Sequence, residues 1–220
     1  FTKIGREIAV AVKAGGADPN TNSKLYDIVQ KAKANNMPND NITRSIKKAS
    51  GELSAVDYTE ITYEGYGIGG SAVIVECLTD NKNRTAGDVR CAFDKNGGSL
   101  GQTNCVSFMF ARKGVVVAEN TVNLDEDSAF ELAIEAGADD VSVEDGMVDI
   151  TCETSSLASV RDAVVAKGLN LVSAEMVWLP QTMVTLEGEN LVKFQRMLDA
   201  LEDNDDVQNV YHNVALPEEE

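Results

Sequence analysis

One histidine, four scattered cysteines, a glycine-rich string and an uneven supply of cations are the residues of this 220-residue chain whose chemistry could set a function. Nucleophilic catalysis needs a base beside a serine or cysteine. The histidine, His212, falls in a segment with strand character near the C-terminus, so a histidine-dependent triad is not expected and His212 reads as structural. Carboxylates are plentiful and composition leaves paired-acid hydrolysis open, yet no pair stands apart from the surface charge. Cys77, Cys91, Cys105 and Cys152 form no C-x-x-C, and with a single histidine a zinc site is not expected. They read as reduced thiols, three of them in core segments, which points to a cytoplasmic protein. The strings "DEDSAFELAIE" and "DNDDVQ" resemble calcium loops only loosely. The first lacks an oxygen ligand at its fifth position, and both lack the glycine at the sixth. They read as an acidic helix start and a polar helix-to-strand turn. No catalytic residue, metal or cofactor is expected.

The string "YEGYGIGG" contains a literal G-x-G-x-x-G at Gly65, Gly67 and Gly70. A dinucleotide site needs that pattern to open a helix, whose N-terminal N–H groups face the pyrophosphate. Here it runs into Ser71-Ala72-Val73-Ile74-Val75-Glu76-Cys77-Leu78, a β-branched strand pattern. The kinase version would also need a His-Arg-Asp loop and an Asp-Phe-Gly site, and neither string occurs. The glycines therefore predict a strand-to-strand connection with positive φ.

The cations are unevenly placed. Residues 1–50 sum to +5, residues 51–113 to −2, residues 114–179 to −12 and residues 180–220 to −8. A basic N-terminal segment on an acidic remainder fits one end meeting a polyanion; lysines that merely solvate helices account for the charge equally well. The loop "DNKNRTAGDVR" follows a strand and opens a helix. Its Lys82, Arg84 and Arg90 with Asn81 and Asn83 could hold an anion, or be a capped helix start with solvated cations. Lys95, in "FDKNGGSLG", has the same double character.

The elements that would position these groups follow from periodicity. Residues 1–50 predict three helices: Ile4, Ile8 and Val12 on the first; Leu25, Ile28, Val29 and Ala32 on the second, capped at Asn22 or Ser23; Ile42, Ile46 and Ala49 on the third. Arg44, Lys47 and Lys48 then share the outward side of the third helix at i, i+3, i+4. From Leu53 the pattern turns to strands. "TEITYEG", "GSAVIVECLTD" and "GSLGQTNCVSFMF" read as strands, with a helix before the last. Residues 114–179 spell β-α-β-β-α-β, the ferredoxin-like order. After Pro180 come "TMVTLEG" as a strand, a helix and a final strand, and "PEEE" as a solvated tail. The expected fold class is α+β: an N-terminal three-helix module (1–52), then two ferredoxin-like domains, one (114–179) inserted in the other (53–113 plus 180–220). No apolar run approaches membrane-spanning length, so no membrane partner is expected. The chain begins at Phe1 with helical character already present, which suggests that the native N-terminus lies upstream.

In this order, "KAGGADPNTNSKL", "KAKANNMPNDNITRSIKK", "YEGYGIGGSAVIVECLTDNKNRT" and "FDKNGGSLG…FARKGVVV" resemble the YebC family over essentially the whole chain. Its members are described as probable transcriptional regulatory proteins, and related mitochondrial proteins as translational activators. The resemblance implies three domains, one discontinuous around another, and no enzymatic activity. Family members begin with a Lys/Arg-rich segment containing a Gly-His-Ser-Lys-Trp-type string, which this sequence lacks.

The expected function is thus a nucleic-acid-binding regulator of gene expression, DNA-binding by the family's description. The alternative is a ribosome-associated translation factor on ribosomal RNA, and a small-ligand sensor or enzyme is the remaining class. The expected contacts are Lys3, Arg6, Lys13, Lys24, Lys31, Lys33, Arg44, Lys47 and Lys48, with Lys82, Arg84, Arg90 and Lys95. Sequence-specific reading of a lone duplex is disfavoured by the −20 carried on residues 114–220, which tilts the physical argument toward RNA.

Overall fold

The computed structural model describes residues 1–51 and 56–218. The predicted boundary at residues 52 and 53, and the last two glutamates of the tail, lie outside the described residues. No helix among the described residues is long and apolar enough to cross a membrane.

Three helices open the chain: α1 (Thr2–Gly15), α2 (Ser23–Ala34) and α3 (Asn39–Ser50). Each is amphipathic, and their inward residues Ile4, Ile8, Val12, Leu25, Ile28, Val29, Ala32, Ile42 and Ala49 share one core. Asn22 ties the first two together. Its carbonyl oxygen accepts the N–H of Leu25 (3.1 Å) as the α2 cap, while its amide donates to Ala11 O (2.8 Å) and Gly16 O (2.9 Å).

The remainder is α+β, with two four-stranded sheets. The first contains β1 (Thr59–Tyr66), β2 (Ala72–Thr79), β3 (Ser99–Leu100) and β8 (Val207–His212) in the order β3-β1-β2-β8, all paired antiparallel. Helices α4 (Lys82–Asp94) and α7 (Gly188–Glu202) cover one face, packing Val89, Phe93, Phe194, Met197 and Leu201 on Val73, Val75 and Cys77. Ala72 and Ile74 point the other way, onto Val106, Phe110, Met109 and Trp178. A strand buried on both faces reads as an unbroken apolar run rather than an alternation, which is why β2 is the plainest strand in the sequence.

The second sheet contains β4 (Phe110–Glu119), β5 (Asp140–Glu144), β6 (Met147–Cys152) and β7 (Asn170–Pro180) in the order β5-β6-β4-β7. With α5 (Glu126–Ala136) and α6 (Leu157–Ala166) this is the β-α-β-β-α-β unit read from the sequence. The β5–β6 hairpin closes in two residues, Asp145 (φ 49°) and Gly146 (φ 74°), both left-handed as such a short turn demands.

Two predicted strands are corrected. In "GSLGQTNCVSFMF" only Ser99 and Leu100 pair with β1. Beyond them the backbone leaves the sheet because the buried Glu64 carboxylate takes its N–H groups: Asn104 N at 2.6 Å, Ser107 N at 2.7 Å and Val106 N at 3.3 Å. In "TMVTLEG" a single parallel bridge forms, Val184 to Val214. The segment lies beside the residues that follow the edge strand β8: Val184 N donates to Asn213 O at 2.7 Å and Val184 O accepts the Ala215 N–H at 2.9 Å.

By compactness the chain forms two units. One holds the helical module from Lys3 with Arg112–Val177, and the other holds the first sheet with Trp178 onward. In the first unit the helices are joined to the second sheet: Tyr26 packs on its core, and Arg161 Nη1 donates to Asp27 Oδ2 at 2.9 Å.

Candidate nucleic-acid interface

The most regular cationic surface is on α3. Its inward face is Ile42 and Ala49, with Ile46 at the margin, and the 3.6-residue period then turns Arg44, Lys47 and Lys48 outward. All three are exposed, and among the described residues none of them forms an ion pair. Asp40 in the first turn and the two lysines in the last complement the helix dipole, so the cations stabilise the helix that carries them.

The other N-terminal cations are less uniform. Lys13, Lys24 and Lys33 are exposed, and Lys3 and Arg6 are half-buried. Lys31 departs from the expected solvent-facing role. It lies 3.1 Å from Glu7 and 2.5 Å from Glu175. Burial pulls its pKa down, but the two carboxylates outweigh that and leave it raised, so the ammonium stays charged as an internal tie. Its partner Glu7 has its pKa raised by burial.

In the second unit the loop before α4 carries its own counter-ions. Asn81 caps the helix by accepting the Arg84 N–H at 3.1 Å. The Arg84 guanidinium does not await an anion: Nε and Nη2 donate to the two oxygens of Asp206 at 3.0 and 2.8 Å, and Nη2 donates to Asp80 at 2.8 Å. The Thr85 hydroxyl adds a bond to Asp206 at 2.9 Å. These bonds, that from Asp206 first, raise the already high pKa of Arg84. Lys82, Arg90 and Lys95 are exposed, but Asp88 and Asp94 on the same helix are exposed too, so α4 is not a basic face. The structure thus pairs Lys31 and Arg84 with carboxylates of the chain, gives Lys3, Arg6, Lys13 and Lys24 interactions of their own, and leaves Arg44, Lys47 and Lys48 as a contiguous exposed set.

The glycine string closes the β1–β2 hairpin, and no helix N-terminus follows it. Gly67 N donates to Ser71 O (2.8 Å). The left-handed residues are Gly69 (φ 69°) and Gly70 (φ 76°). Gly65 and Gly67 have ordinary φ, so the expected reason for glycine is corrected there. A Cβ at Gly65 would meet Ser99 O at 2.7 Å and the Phe93 ring at 2.8 Å, and one at Gly67 would meet Ser71 Oγ at 2.4 Å. The constraint is close packing.

His212 is half-buried and packed at the edge of the first sheet's core. Its ring stacks edge-on against Phe194 with centroids 5.1 Å apart, and Nδ1 accepts the Val214 N–H at 3.1 Å. Burial lowers its pKa, so it is neutral at pH 7. Among the described residues no group of three or more histidine, cysteine or acidic side chains could hold a metal ion.

Sequence reasoning missed Glu64 and Asp206. Glu64 lies between Tyr63 and Gly65 in β1 and Asp206 in the polar run before β8, and they are 4% and 2% exposed. Nothing local distinguishes Asp206 from Asp203 or Asp205, because its partner Arg84 is more than a hundred residues away in the chain.

A three-helix module followed by two α+β domains is the architecture these elements define. Residues 1–52 match the TACO1/YebC protein N-terminal domain, and residues 58–214 match the TACO1/YebC second and third domain. The chain belongs to this family. It is 56% identical over 218 residues to a protein of Clostridium botulinum (strain Okra / Type B1) and 54% identical over 218 residues to one of Hathewaya histolytica. In both cases the match covers 99% of this chain and 89% of the relative, and both relatives carry the name "probable transcriptional regulatory protein". The crystal structure of a conserved hypothetical protein from Aquifex aeolicus has the same fold, with a TM-score of 0.86 and 40% identity over 100% of this chain and 90% of that one.

Proposed function

We propose that this protein is a non-enzymatic, DNA-binding regulator of transcription acting in the cytoplasm, and that it holds the nucleic-acid backbone through α3. One observation carries the reading. In a chain of net charge −17, Arg44, Lys47 and Lys48 form an exposed cationic face on one helix, and among the described residues no carboxylate pairs with it. Lys13, Lys24 and Lys33, the half-buried Lys3 and Arg6, and Lys82, Arg90 and Lys95 are secondary candidates. Side chains on one rigid helical face can each meet a phosphate without moving the backbone, and such contacts position rather than read sequence. The names of the relatives, all of regulatory type, support the same class.

A second reading rests on the −20 carried by residues 114–220. That charge opposes approach to a lone duplex, but it is tolerated in an RNA–protein assembly such as the ribosome, where basic proteins can neutralise it. The deciding experiment is cross-linking in cells followed by sequencing of the bound nucleic acid. Promoter DNA supports the first reading and ribosomal RNA the second. Recovery of neither would remove both.

A further inference from the structure

Helix α5 wears its hydrophobicity on the wrong side for a helix that only packs on its own sheet. The residues it buries are Ala129, Ala133 and Ala136. Leu132 packs half-buried against the core beside them, but Phe130 and Ile134 stand 56% and 58% exposed. They are four residues apart and therefore neighbours on one ridge. The next ridge is Asp127, Glu131 and Glu135, all exposed, and among the described residues none of the three has an ion pair. Like charges at i, i+4 weaken the helix that carries them, so this ridge is better neutralised from outside than left alone.

We infer that the exposed face of α5 is a docking surface for a basic polypeptide segment with apolar side chains of its own, a function separate from nucleic-acid binding. The charge of its surroundings selects the occupant. Residues 114–179 carry −12, so a nucleic acid or an anionic lipid surface is repelled there. A second copy docked face to face would set two acidic ridges against each other. A cationic protein surface gains on both counts: lysines or arginines meet the ridge of Asp127, Glu131 and Glu135, and aliphatic groups cover Phe130 and Ile134. An aromatic–aliphatic anchor rimmed by charge is the composition expected of an interface centre.

The test uses the full chain and defined peptides of about 18 residues, about five helical turns. One peptide carries leucines along one face and lysines elsewhere, a second replaces the leucines by serine, and a third replaces the lysines by glutamate. Affinity is measured by fluorescence anisotropy, and the site by amide shifts. The expected result is binding of the first peptide with shifts centred on α5. Phe130→Ser with Ile134→Ser should weaken it by about tenfold or more, and Asp127→Asn with Glu131→Gln and Glu135→Gln should flatten its salt dependence. The serine peptide should bind weakly and without dependence on Phe130. All five positions are exposed, and a melting curve shows that the variants fold. Unchanged affinity in the Phe130/Ile134 variant overturns the inference. So does sedimentation showing a dimer that this variant abolishes, which would make a second copy the occupant. Single-stranded RNA binding that depended on the same pair would overturn it as well.

Discussion

Arg84 and Asp206 form a bidentate pair, Nε to Oδ2 at 3.0 Å and Nη2 to Oδ1 at 2.8 Å, across 122 residues of chain. The pair joins the start of α4 to the turn before β8, and Asp206 is buried at 2% exposure. A buried carboxylate that loses its partner is strongly destabilising, whereas the pair itself is weak evidence of net stability. Arg84→Ala should therefore lower the melting temperature, Arg84→Lys should recover only part of the loss because it cannot reproduce the fork, and neither should change nucleic-acid affinity. Affinity falling with unchanged stability would show that Arg84 meets the ligand instead.

The α3 face makes a quantitative prediction. Each phosphate contact contributes a log–log salt slope of about −0.9 on B-form DNA or about −0.7 on single strands. Changing Arg44, Lys47 and Lys48 together to alanine should lower affinity and flatten the slope by roughly 2 to 3, with an unchanged melting curve. Titrations at several salt concentrations measure it. A variant with wild-type affinity and slope would remove α3 as the interface.

Glu64 organises the segment that leaves the first sheet. Replacing it with alanine leaves the N–H groups of Asn104, Val106 and Ser107 without their acceptor. Of the three, only Val106 is a buried residue, while Asn104 is exposed and Ser107 half-buried, so water can take the place of the lost acceptor at two of them. The cost should be about 1–3 kcal/mol in urea unfolding, the penalty of one buried group left unsatisfied. Glu64→Gln, which keeps one acceptor oxygen, should lose less.

Gly67→Ala should destabilise by about 1–3 kcal/mol through overpacking against Ser71, and Ser71→Gly should relieve much of it. Neither ATP nor NAD should raise the wild-type melting temperature. A nucleotide-dependent rise abolished by Gly67→Ala would restore the phosphate-cradle reading.

His212 links stability to pH. Burial holds its folded-state pKa below the unfolded value of about 6.5. Its contribution is therefore complete above about pH 6.5 and is lost as pH falls through the folded value. The wild type should lose stability on acidification more steeply than His212→Gln, and the difference between the two curves isolates this residue. Parallel curves would contradict a neutral, buried imidazole.

We propose that residues 114–179 form an independent folding domain and that residues 53–113 do not. The first span contains β-α-β-β-α-β, whereas the second lacks β8 and α7 from its sheet and core. Amide dispersion of the two fragments by NMR decides it; a well-dispersed 53–113 fragment would contradict the partition.

By itself the sequence determined the elements whose signal is local. The three amphipathic helices and their inward residues, a cap for the second at Asn22 or Ser23, the unbroken run of β2 and the outward side of the third helix with Arg44, Lys47 and Lys48 all follow from period and capping chemistry over a few residues. The tertiary structure decided what depends on a distant partner. Whether Arg84 and Lys31 are engaged within the chain rests on Asp206 and Glu175, which lie 122 and 144 positions further along. Whether "GSLGQTNCVSFMF" continues as a strand rests on a carboxylate presented by β1, and the single bridge that "TMVTLEG" makes rests on Val214, thirty residues further along the chain. Gly65 and Gly67 belong to the same class: their reason is an approach of Ser99, Phe93 and Ser71, a steric fact that exists only once the chain has closed on itself.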